Sequence, residues 1–272
     1  MICVTACAQV NHYPDDFLQG KRIVLTRTPH QARPWQEALQ RCGAHVLLYP
    51  VFTMIPPQQQ QPLQQAVALL LAGHFCWVVL SGANAVYALK KQLVALGENA
   101  RLPGSVKLAA IGNATAAIMK QELGIEACFI APTPTGQSLG ETLPLKQHET
   151  VLLPQAQQAQ PNLRLALQQR TQHLHIVTAY RNIPHCPAQH PATVFCPTPD
   201  PCLVCFASGS SITACLAALR QHNAQHLLSN CTIACMGRSS IQAAKQNRLS
   251  IDIACTDVRL ATLLLRLKEW CI

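Results

Sequence analysis

The sequence has 272 residues, of which 49% are hydrophobic and 12% are charged, a balance typical of a globular protein of about two domains. The formal net charge of +9 favours an anionic ligand, because summed charge raises the local concentration of anions. The basic residues are scattered and aromatic residues make up 5% of the chain, which argues against a nucleic-acid-binding protein.

Residues 1–19 contain neither a basic segment nor a clear hydrophobic segment of a signal peptide, and are predicted to be a loosely ordered extension. Residues 66–86 carry no Lys, Arg, Asp or Glu and are long enough to cross a bilayer. Gly73 and His74 interrupt this segment and a β-rich run follows, so a helix, a turn and a buried strand are expected. The sequence therefore predicts a soluble, cytoplasmic protein without a membrane partner.

Strands and helices alternate through the first half of the sequence. A connector with three prolines and a glutamine run is expected at 54–62. The predicted strands are 22–26, 44–49, 76–80, 107–111 and 126–130, and the predicted helices are 33–41, 63–71, 84–96, 115–122 and 136–143.

The second half repeats this order around a second proline-rich connector that starts at Pro184. The predicted strands are 150–153, 173–179, 202–206, 232–236 and 251–254, and the predicted helices are 162–170, 211–221, 240–246 and 259–269. Alternating strands and helices with short loops indicate an α/β fold of parallel sheets flanked by helices. Near-continuous apolar strands agree, because such strands are buried on both faces.

The chain holds 14 cysteines, and many lie within apolar runs, where a reduced thiol behaves as a small buried hydrophobe. Two pairs, Cys202 with Cys205 and Cys231 with Cys235, have spacings close to those of zinc ligands. Both pairs fall in strand-like runs, where the first pair would point to opposite faces and the two cysteines of the second would lie too far apart along one face. His173 and His175 would share one face of a strand, but a surface pair is the favoured interpretation. No metal site is predicted.

Four strand ends carry small and hydroxyl residues and then turn helical, at 78–86, 108–117, 204–212 and 233–241. The unpaired N–H groups and positive dipole of a helix N-terminus favour anions. In a parallel sheet such ends gather at the carboxyl ends of the strands. The pattern predicts a ligand with many negative groups. The sequence motifs of dinucleotide-binding, P-loop, hydrolase and zincin sites are absent from the sequence.

An ordered series of short motifs resembles the uroporphyrinogen-III synthase family across roughly residues 20–268. The motifs are Ile-Val-Leu-Thr-Arg at 23–27, Leu-Ser-Gly-Ala-Asn-Ala-Val at 80–86, Ile-Gly-Asn-Ala-Thr-Ala-Ala at 111–117, Leu-Leu-Pro at 152–154, Thr-Ala-Tyr-Arg at 178–181, Phe-Ala-Ser-Gly-Ser at 206–210 and Met-Gly-Arg-Ser-Ser at 236–240. Each motif is weak alone, and their order along the chain is the specific signal.

The resemblance implies two α/β lobes joined by two chain crossings, near 51–56 and 179–187. Lobe 1 would be discontinuous, with residues 20–53 and 185–272, and lobe 2 would comprise residues 54–184. It also implies cyclisation of hydroxymethylbilane, a linear tetrapyrrole polycarboxylate, to uroporphyrinogen III with inversion of the last pyrrole ring. The substrate would lie in the cleft between the lobes, and neither a metal nor an organic cofactor would be used. A monomer is expected, with transient hand-over of substrate from the enzyme that makes it.

The resemblance further suggests site residues. Tyr180, at the second crossing, is the candidate acid for the departing hydroxyl; the alternative is a tyrosine that packs between the lobes. Arg27 is a candidate carboxylate ligand. The candidate substrate-binding turns, which are also candidate helix N-caps, consist of Ser81, Gly82, Ala83, Asn84, Asn113, Ala114, Thr115, Ser208, Gly209, Ser210, Gly237, Ser239 and Ser240.

The sequence departs from the family pattern at Gly82, Gln155 and Arg238, where the family often has Ser, Arg and Pro. These changes remove possible carboxylate donors and leave room for weak activity. An alternative hypothesis is therefore a non-catalytic two-lobed protein that binds an anionic metabolite. A third, a metal-binding protein, rests on the cysteine pairs alone.

Overall fold

A computed structural model describes residues 16–97, 101–195 and 202–271. The chain forms two compact units: the first contains residues 1–53 and 184–272, and the second contains residues 54–183. The chain therefore passes from the first unit to the second and back again.

Up to the second crossing, strands and helices alternate along the chain, except that the third strand follows the second directly. They are β1 (Arg22–Leu25), α1 (Pro29–Arg41), β2 (His45–Leu48), β3 (Phe52–Ile55), α2 (Gln61–Leu71), β4 (Trp77–Leu80), α3 (Ala83–Ala95), β5 (Lys107–Ala110), α4 (Asn113–Leu123), β6 (Phe129–Ile130), α5 (Gly136–Thr142), β7 (Val151–Ala156), α6 (Asn162–Gln168) and β8 (Leu174–Pro184). The rest are α7 (Pro191–Phe195), β9 (Leu203–Phe206), α8 (Gly209–Gln221), a 3-10 helix (Gln225–Asn230), β10 (Thr232–Met236), α9 (Arg238–Gln246), β11 (Ile253–Cys255) and α10 (Leu260–Trp270).

The first unit is built on a five-stranded sheet in the order β11-β10-β9-β1-β2, and each neighbouring pair is parallel. Side chains alternate between two buried faces: Val204 and Phe206 of β9 pack in one core with α8 and α9, and Leu203 packs in another with α1 and α10. Burial on both faces explains why these strands are continuously apolar. All their carboxyl ends lie at one end of the sheet.

The second unit is built on a six-stranded sheet in the order β3-β8-β7-β4-β5-β6, parallel from β8 to β6. Val78 and Leu80 of β4 face the core that contains α2 and α3, and Val79 faces the core of α5 and α6. One irregularity matters: Gln155 is opposite Thr178, but Ala156 is opposite Tyr180. Strand β8 thus has an extra residue, a β-bulge.

The predicted connectors contain regular structure that the sequence pattern does not indicate. Residues 52–55 form strand β3, which pairs with β8 at the edge of the second sheet, and β8 runs on to Pro184. The short helix α7 lies within the second connector. The prediction of an irregular connector was wrong at 54–55, because strand pairing between residues far apart in sequence stabilises a short segment that has little periodicity of its own.

The last residues of the predicted N-terminal extension, 16–19, are ordered against the first unit and are not loose as predicted. Leu18 is fully buried in the core of α1 and α10, and its N–H donates to the carbonyl of Cys42 at 2.8 Å. Residues 16–19 therefore pack against the first unit. Residues 1–15 of the predicted extension lie outside the described residues.

The uncharged segment 66–86 is divided as predicted: α2 ends at Leu71, and β4 begins at Trp77. Across the described ranges, no helix combines the length and apolar character needed to cross a bilayer.

Candidate active site

The carboxyl end of the second sheet presents two helix N-termini. Gly82 after β4 and Gly112 after β5 are the N-caps of α3 and α4, and neither helix has a side-chain cap within the described residues. The Ala85 N–H donates to the Gly82 carbonyl at 3.1 Å. The first-turn N–H groups of each helix lie at the positive end of its dipole, a position that favours an anion. Ser81 and Ala83 are half-buried, and Asn113 and Ala114 are exposed. These predicted substrate residues thus lie together at one end of the sheet.

Two predicted residues of these turns point inward instead. Asn84 is buried, and its Nδ2 donates to Oδ1 of Asn182 on β8 at 3.3 Å. Thr115 is buried on the same side of α4 as Met119 and so faces the core rather than the end of the sheet. Asn84 links α3 to the end of β8, two residues beyond Tyr180.

Tyr180 owes its direction to the bulge. Without the extra residue in β8, alternation would turn Tyr180 to the face of Ile176 and Thr178. With it, Tyr180 packs in the core that also contains Val177 and Ala179. Burial raises the pKa of the Tyr180 phenol, so the group keeps its O–H near pH 7.

Arg27 follows β1 at the carboxyl end of the first sheet. Its guanidinium carbon lies 4.4 Å from the ring centroid of Trp35, a cation–π contact. Nε and Nη1 are buried and have no hydrogen-bond partner among the described residues, and the same is true of Oγ1 of the next residue, Thr28. Burial lowers the pKa of Arg27, although a guanidinium remains charged at neutral pH. An unpaired buried cation is costly, and a bound carboxylate would satisfy it.

Ser208 and Ser210 lie at the start of α8, which follows β9, the strand next to β1. The Ser208 Oγ accepts from the Ser211 N–H at 3.2 Å and lies 3.0 Å from the Ser210 Oγ. The Ser208 N–H in turn donates to the Ser211 Oγ, so α8 begins with a reciprocal capping box. The prediction that Ser208 is a helix N-cap is therefore confirmed, whereas Ser210 is exposed.

The turn after β10 packs directly against this one. A Cβ on Gly209 would lie 2.7 Å from the Ser239 carbonyl oxygen, so only glycine allows this approach. Gly237 has φ +81, which also favours glycine. The Ser240 hydroxyl is fully buried and donates within its own turn, to Met236 and Gly237 carbonyls at 2.7 and 2.9 Å. Ser239 therefore remains for a ligand, and Ser240 does not.

Three residues that contact or lie next to candidate site residues were not identified from the sequence. Trp35 makes the cation–π contact with Arg27. The two residues are eight positions apart across a strand–helix turn, and no local sequence pattern reveals this contact. Asn182 binds Asn84 through a pairing of distant segments. Arg238 is exposed at the first position of α9, so the residue that replaces the family's proline is a cation next to Ser239 in the chain.

The cysteine pairs have the geometry expected of buried strand residues. Cys202 and Cys205 pack in the two opposite cores of the first sheet, as predicted. Within the described ranges, no group of three or more His, Cys, Asp or Glu side chains is arranged to hold a metal ion.

The family model described as uroporphyrinogen-III synthase HemD matches residues 33–264. The chain belongs to the uroporphyrinogen-III synthase family. A uroporphyrinogen-III synthase from Synechococcus elongatus is 30% identical over 177 residues, which cover 64% of each chain. A porphyrin biosynthesis protein HemD from Ruminiclostridium josui is 23% identical over 252 residues, 87% of this chain and 46% of that protein. The chain thus spans between about half and two thirds of the length of these curated relatives.

Solved structures of uroporphyrinogen-III synthases share the fold. A mutant Thermus thermophilus enzyme has a TM-score of 0.54 and 17% identity, covering 92% of this chain and 98% of that one. The Helicobacter pylori enzyme has a TM-score of 0.54 and 16% identity, covering 90% and 97%. These likenesses confirm the predicted α/β fold of two units with parallel sheets flanked by helices.

Proposed function

We propose that this member of the uroporphyrinogen-III synthase family cyclises hydroxymethylbilane to uroporphyrinogen III with inversion of the last pyrrole ring. The observation that carries the proposal is the family match over residues 33–264. The geometry supports it, because both sheets present groups suited to a polycarboxylate at their carboxyl ends.

The substrate carboxylates would bind to two kinds of donor. Arg27 has two buried, unpartnered nitrogens in the described structure, and a guanidinium matches the two oxygens of a carboxylate. The N-termini of α3 and α4, which lack side-chain caps among the described residues, offer N–H groups to further carboxylates. Ser210, Arg238 and Ser239, which follow β9 and β10 of the same sheet as Arg27, would supply further exposed donors.

Tyr180 is the proposed proton donor. A neutral phenol would hydrogen-bond the terminal hydroxyl of the bilane and help it to leave as water. The resulting azafulvene-like cation is attacked by the substituted carbon of the last ring, and the spiro intermediate fragments and recloses with that ring inverted. Since the linear bilane closes uninverted without enzyme, most of the catalysis would come from holding one attack geometry.

Several finer predictions stay open to test. They are a monomeric chain, a cytoplasmic location, no cofactor, and transient hand-over of substrate from the enzyme that makes hydroxymethylbilane. Size-exclusion chromatography with light scattering, with and without that enzyme, tests both the monomer and the hand-over.

A coupled assay tests the activity. Hydroxymethylbilane is generated in place, the products are oxidised, and the porphyrin isomers are separated. Type III product that depends on the chain supports the proposal. Type I product alone, equal to the control without the chain, would refute it and favour the binding-protein alternative.

Two substitutions test the residue roles. Tyr180→Phe should lower the rate of type III formation roughly 10²-fold. Its matched control is Tyr49→Phe: Tyr49 is also buried, but its hydroxyl has no partner among the described residues and it lies in the core of α8, so activity should be unchanged.

Arg27→Gln should raise KM about tenfold or more, the expected loss of a charged hydrogen bond. Arg33→Gln, which removes a cation from an exposed ion pair, is its control. Equal effects of Arg27→Gln and Arg33→Gln on KM would argue against a specific carboxylate contact at Arg27.

A further inference from the structure

Arg22, Cys202 and Cys231 lie in one row across the amino ends of β1, β9 and β10. Ile23 is opposite Leu203, and Thr232 is opposite Leu203, so the residues immediately before them are also neighbours. In a parallel sheet, residues in register point to the same face. This row lies at the amino end of the first sheet, opposite to the end that carries Arg27.

The two thiols of the row are close enough to react. The Sγ atoms of Cys202 and Cys231 are 3.3 Å apart, and the Thr232 N–H bonds the Cys202 carbonyl at 2.9 Å. Neighbouring strands are about 4.8 Å apart, a spacing that lies within the range of Cα separations that disulfides span. A bond between the sulfurs therefore requires rotation of side chains and little movement of the backbone.

The surroundings favour a thiolate at this place. The Nε of Arg22 is buried and has no hydrogen-bond partner in the described structure. The neighbouring Cys231 thiol and then the Arg22 charge lower the pKa of Cys202, against the effect of burial. Elsewhere burial alone raises the pKa of Cys215 to about 12. A thiolate is the reactive form of cysteine, so Cys202 is suited to attack a sulfur that lies 3.3 Å away.

We propose that Cys202 and Cys231 are an oxidation site, which a hydroperoxide converts to a disulfide. Cys231 is 9% exposed and Cys202 1%, so Cys231 meets the oxidant. Its sulfur attacks the peroxide, the O–O bond breaks, and a sulfenic acid and an alcohol or water form. The Cys202 thiolate then attacks that sulfur, the S–O bond breaks, and the leaving hydroxide takes up a proton as water. Two thiols lose two electrons, and the peroxide is reduced.

The disulfide would tie together the starts of β9 and β10. It closes a loop of chain that contains α8 and the 3-10 helix, and a cross-link restricts the unfolded chain. We therefore expect the oxidised protein to melt at a higher temperature than the reduced protein. The proposal does not depend on the synthase activity, since Arg27, Ser210 and Ser239 lie at the other end of the first sheet and Tyr180 belongs to the second sheet.

The test uses the reduced full chain and hydrogen peroxide. After graded exposure, all remaining thiols are blocked with N-ethylmaleimide in denaturant, and the unreduced peptides are mapped by mass spectrometry. The expected result is a peptide pair joined through Cys202 and Cys231 that appears before any other cysteine pair, with a loss of two hydrogen masses from the protein. Failure of this pair to appear, or its appearance no earlier than random pairs, would overturn the proposal.

Two variants sharpen the test. In Cys202→Ser the second step is impossible, so the sulfenic acid at Cys231 should persist and be captured by dimedone. Cys215→Ser, which removes another buried thiol of the same core, should form the disulfide at the rate of the unmodified protein. No dimedone capture at Cys231 in folded Cys202→Ser, or loss of the disulfide in Cys215→Ser, would count against the site. The mapping of the unmodified chain stands even if a variant fails to fold.

Discussion

Glu149 is a buried carboxylate that joins three separate segments of the second unit. Its oxygens accept hydrogen bonds from Trp77 Nε1 and Lys107 Nζ at 3.1 Å and from the Lys146 backbone N–H at 2.9 Å. Glu149→Gln keeps the size of the side chain but replaces one acceptor oxygen by an NH₂ group. That group would face a donor, and the negative charge opposite Lys107 would be lost. We therefore expect this substitution to destabilise the second unit.

The magnitude follows from the shift in acidity. Burial raises the pKa of Glu149, but its hydrogen bonds from Lys146, Lys107 and Trp77 outweigh burial and lower the pKa from 4.5 to about 2. At about 1.4 kcal/mol per pKa unit, the difference corresponds to about 3 kcal/mol. The side chain of Lys107 is 47% exposed, so water screens its share of the interaction, and about 2 kcal/mol is the expected loss of unfolding free energy.

The same interaction fixes a pH dependence. Because the folded pKa lies below the unfolded value, the stabilisation is fully present above pH 4.5 and is lost as the pH falls through about 2. The difference in unfolding free energy between the unmodified protein and Glu149→Gln should therefore be constant near neutral pH and shrink below pH 4.5.

Urea unfolding, followed by tryptophan fluorescence at several pH values, measures this difference. Glu126→Gln is the control, since the Glu126–Lys120 ion pair is exposed on both sides and its loss should be undetectable. Equal midpoints for Glu149→Gln and the unmodified protein at neutral pH would refute the reasoning, as would a difference that does not change down to pH 2.

Further predictions concern close packing and capping. Gly140→Ala should destabilise the second unit by about 1–3 kcal/mol in urea unfolding, because the new Cβ would lie 2.5 Å from that of Ala166; Gly104→Ala, where a Cβ meets nothing within 4 Å, should be neutral. Ser208→Ala should lower stability by about 1 kcal/mol through loss of the α8 cap, measured by thermal unfolding. Ser210→Ala should leave the melting temperature unchanged and alter only substrate KM, and an equal fall in melting temperature would contradict this separation of roles.

The alternation of strands and helices was predictable because each buried strand had to be apolar along its length. The predicted strand 107–111 and helix 136–143, for example, differ from β5 and α5 by one residue at one end. These local patterns also predicted the helix N-termini at the carboxyl ends of both sheets.

What the sequence could not reveal depends on contacts between distant segments. β3 exists because β8 pairs with it, and the direction of Tyr180 depends on one extra residue in β8 relative to β7. The burial of the Ser240 hydroxyl, which is hydrogen-bonded within its own turn, and the cation–π contact between Arg27 and Trp35 likewise come from packing. Residue type predicted which groups could bind a carboxylate, but not which of them face the solvent.

The place of β1 in the first sheet has a consequence for synthesis of the chain. β1 pairs on one side with β2, which follows it closely, and on the other with β9, where Ile23 meets Leu203. The second unit is continuous from 54 to 183, so a ribosome delivers all of it before β9 emerges. A nascent chain would thus carry a finished second unit beside a β1–β2 pair with an open edge, and such edges are prone to pair with other chains.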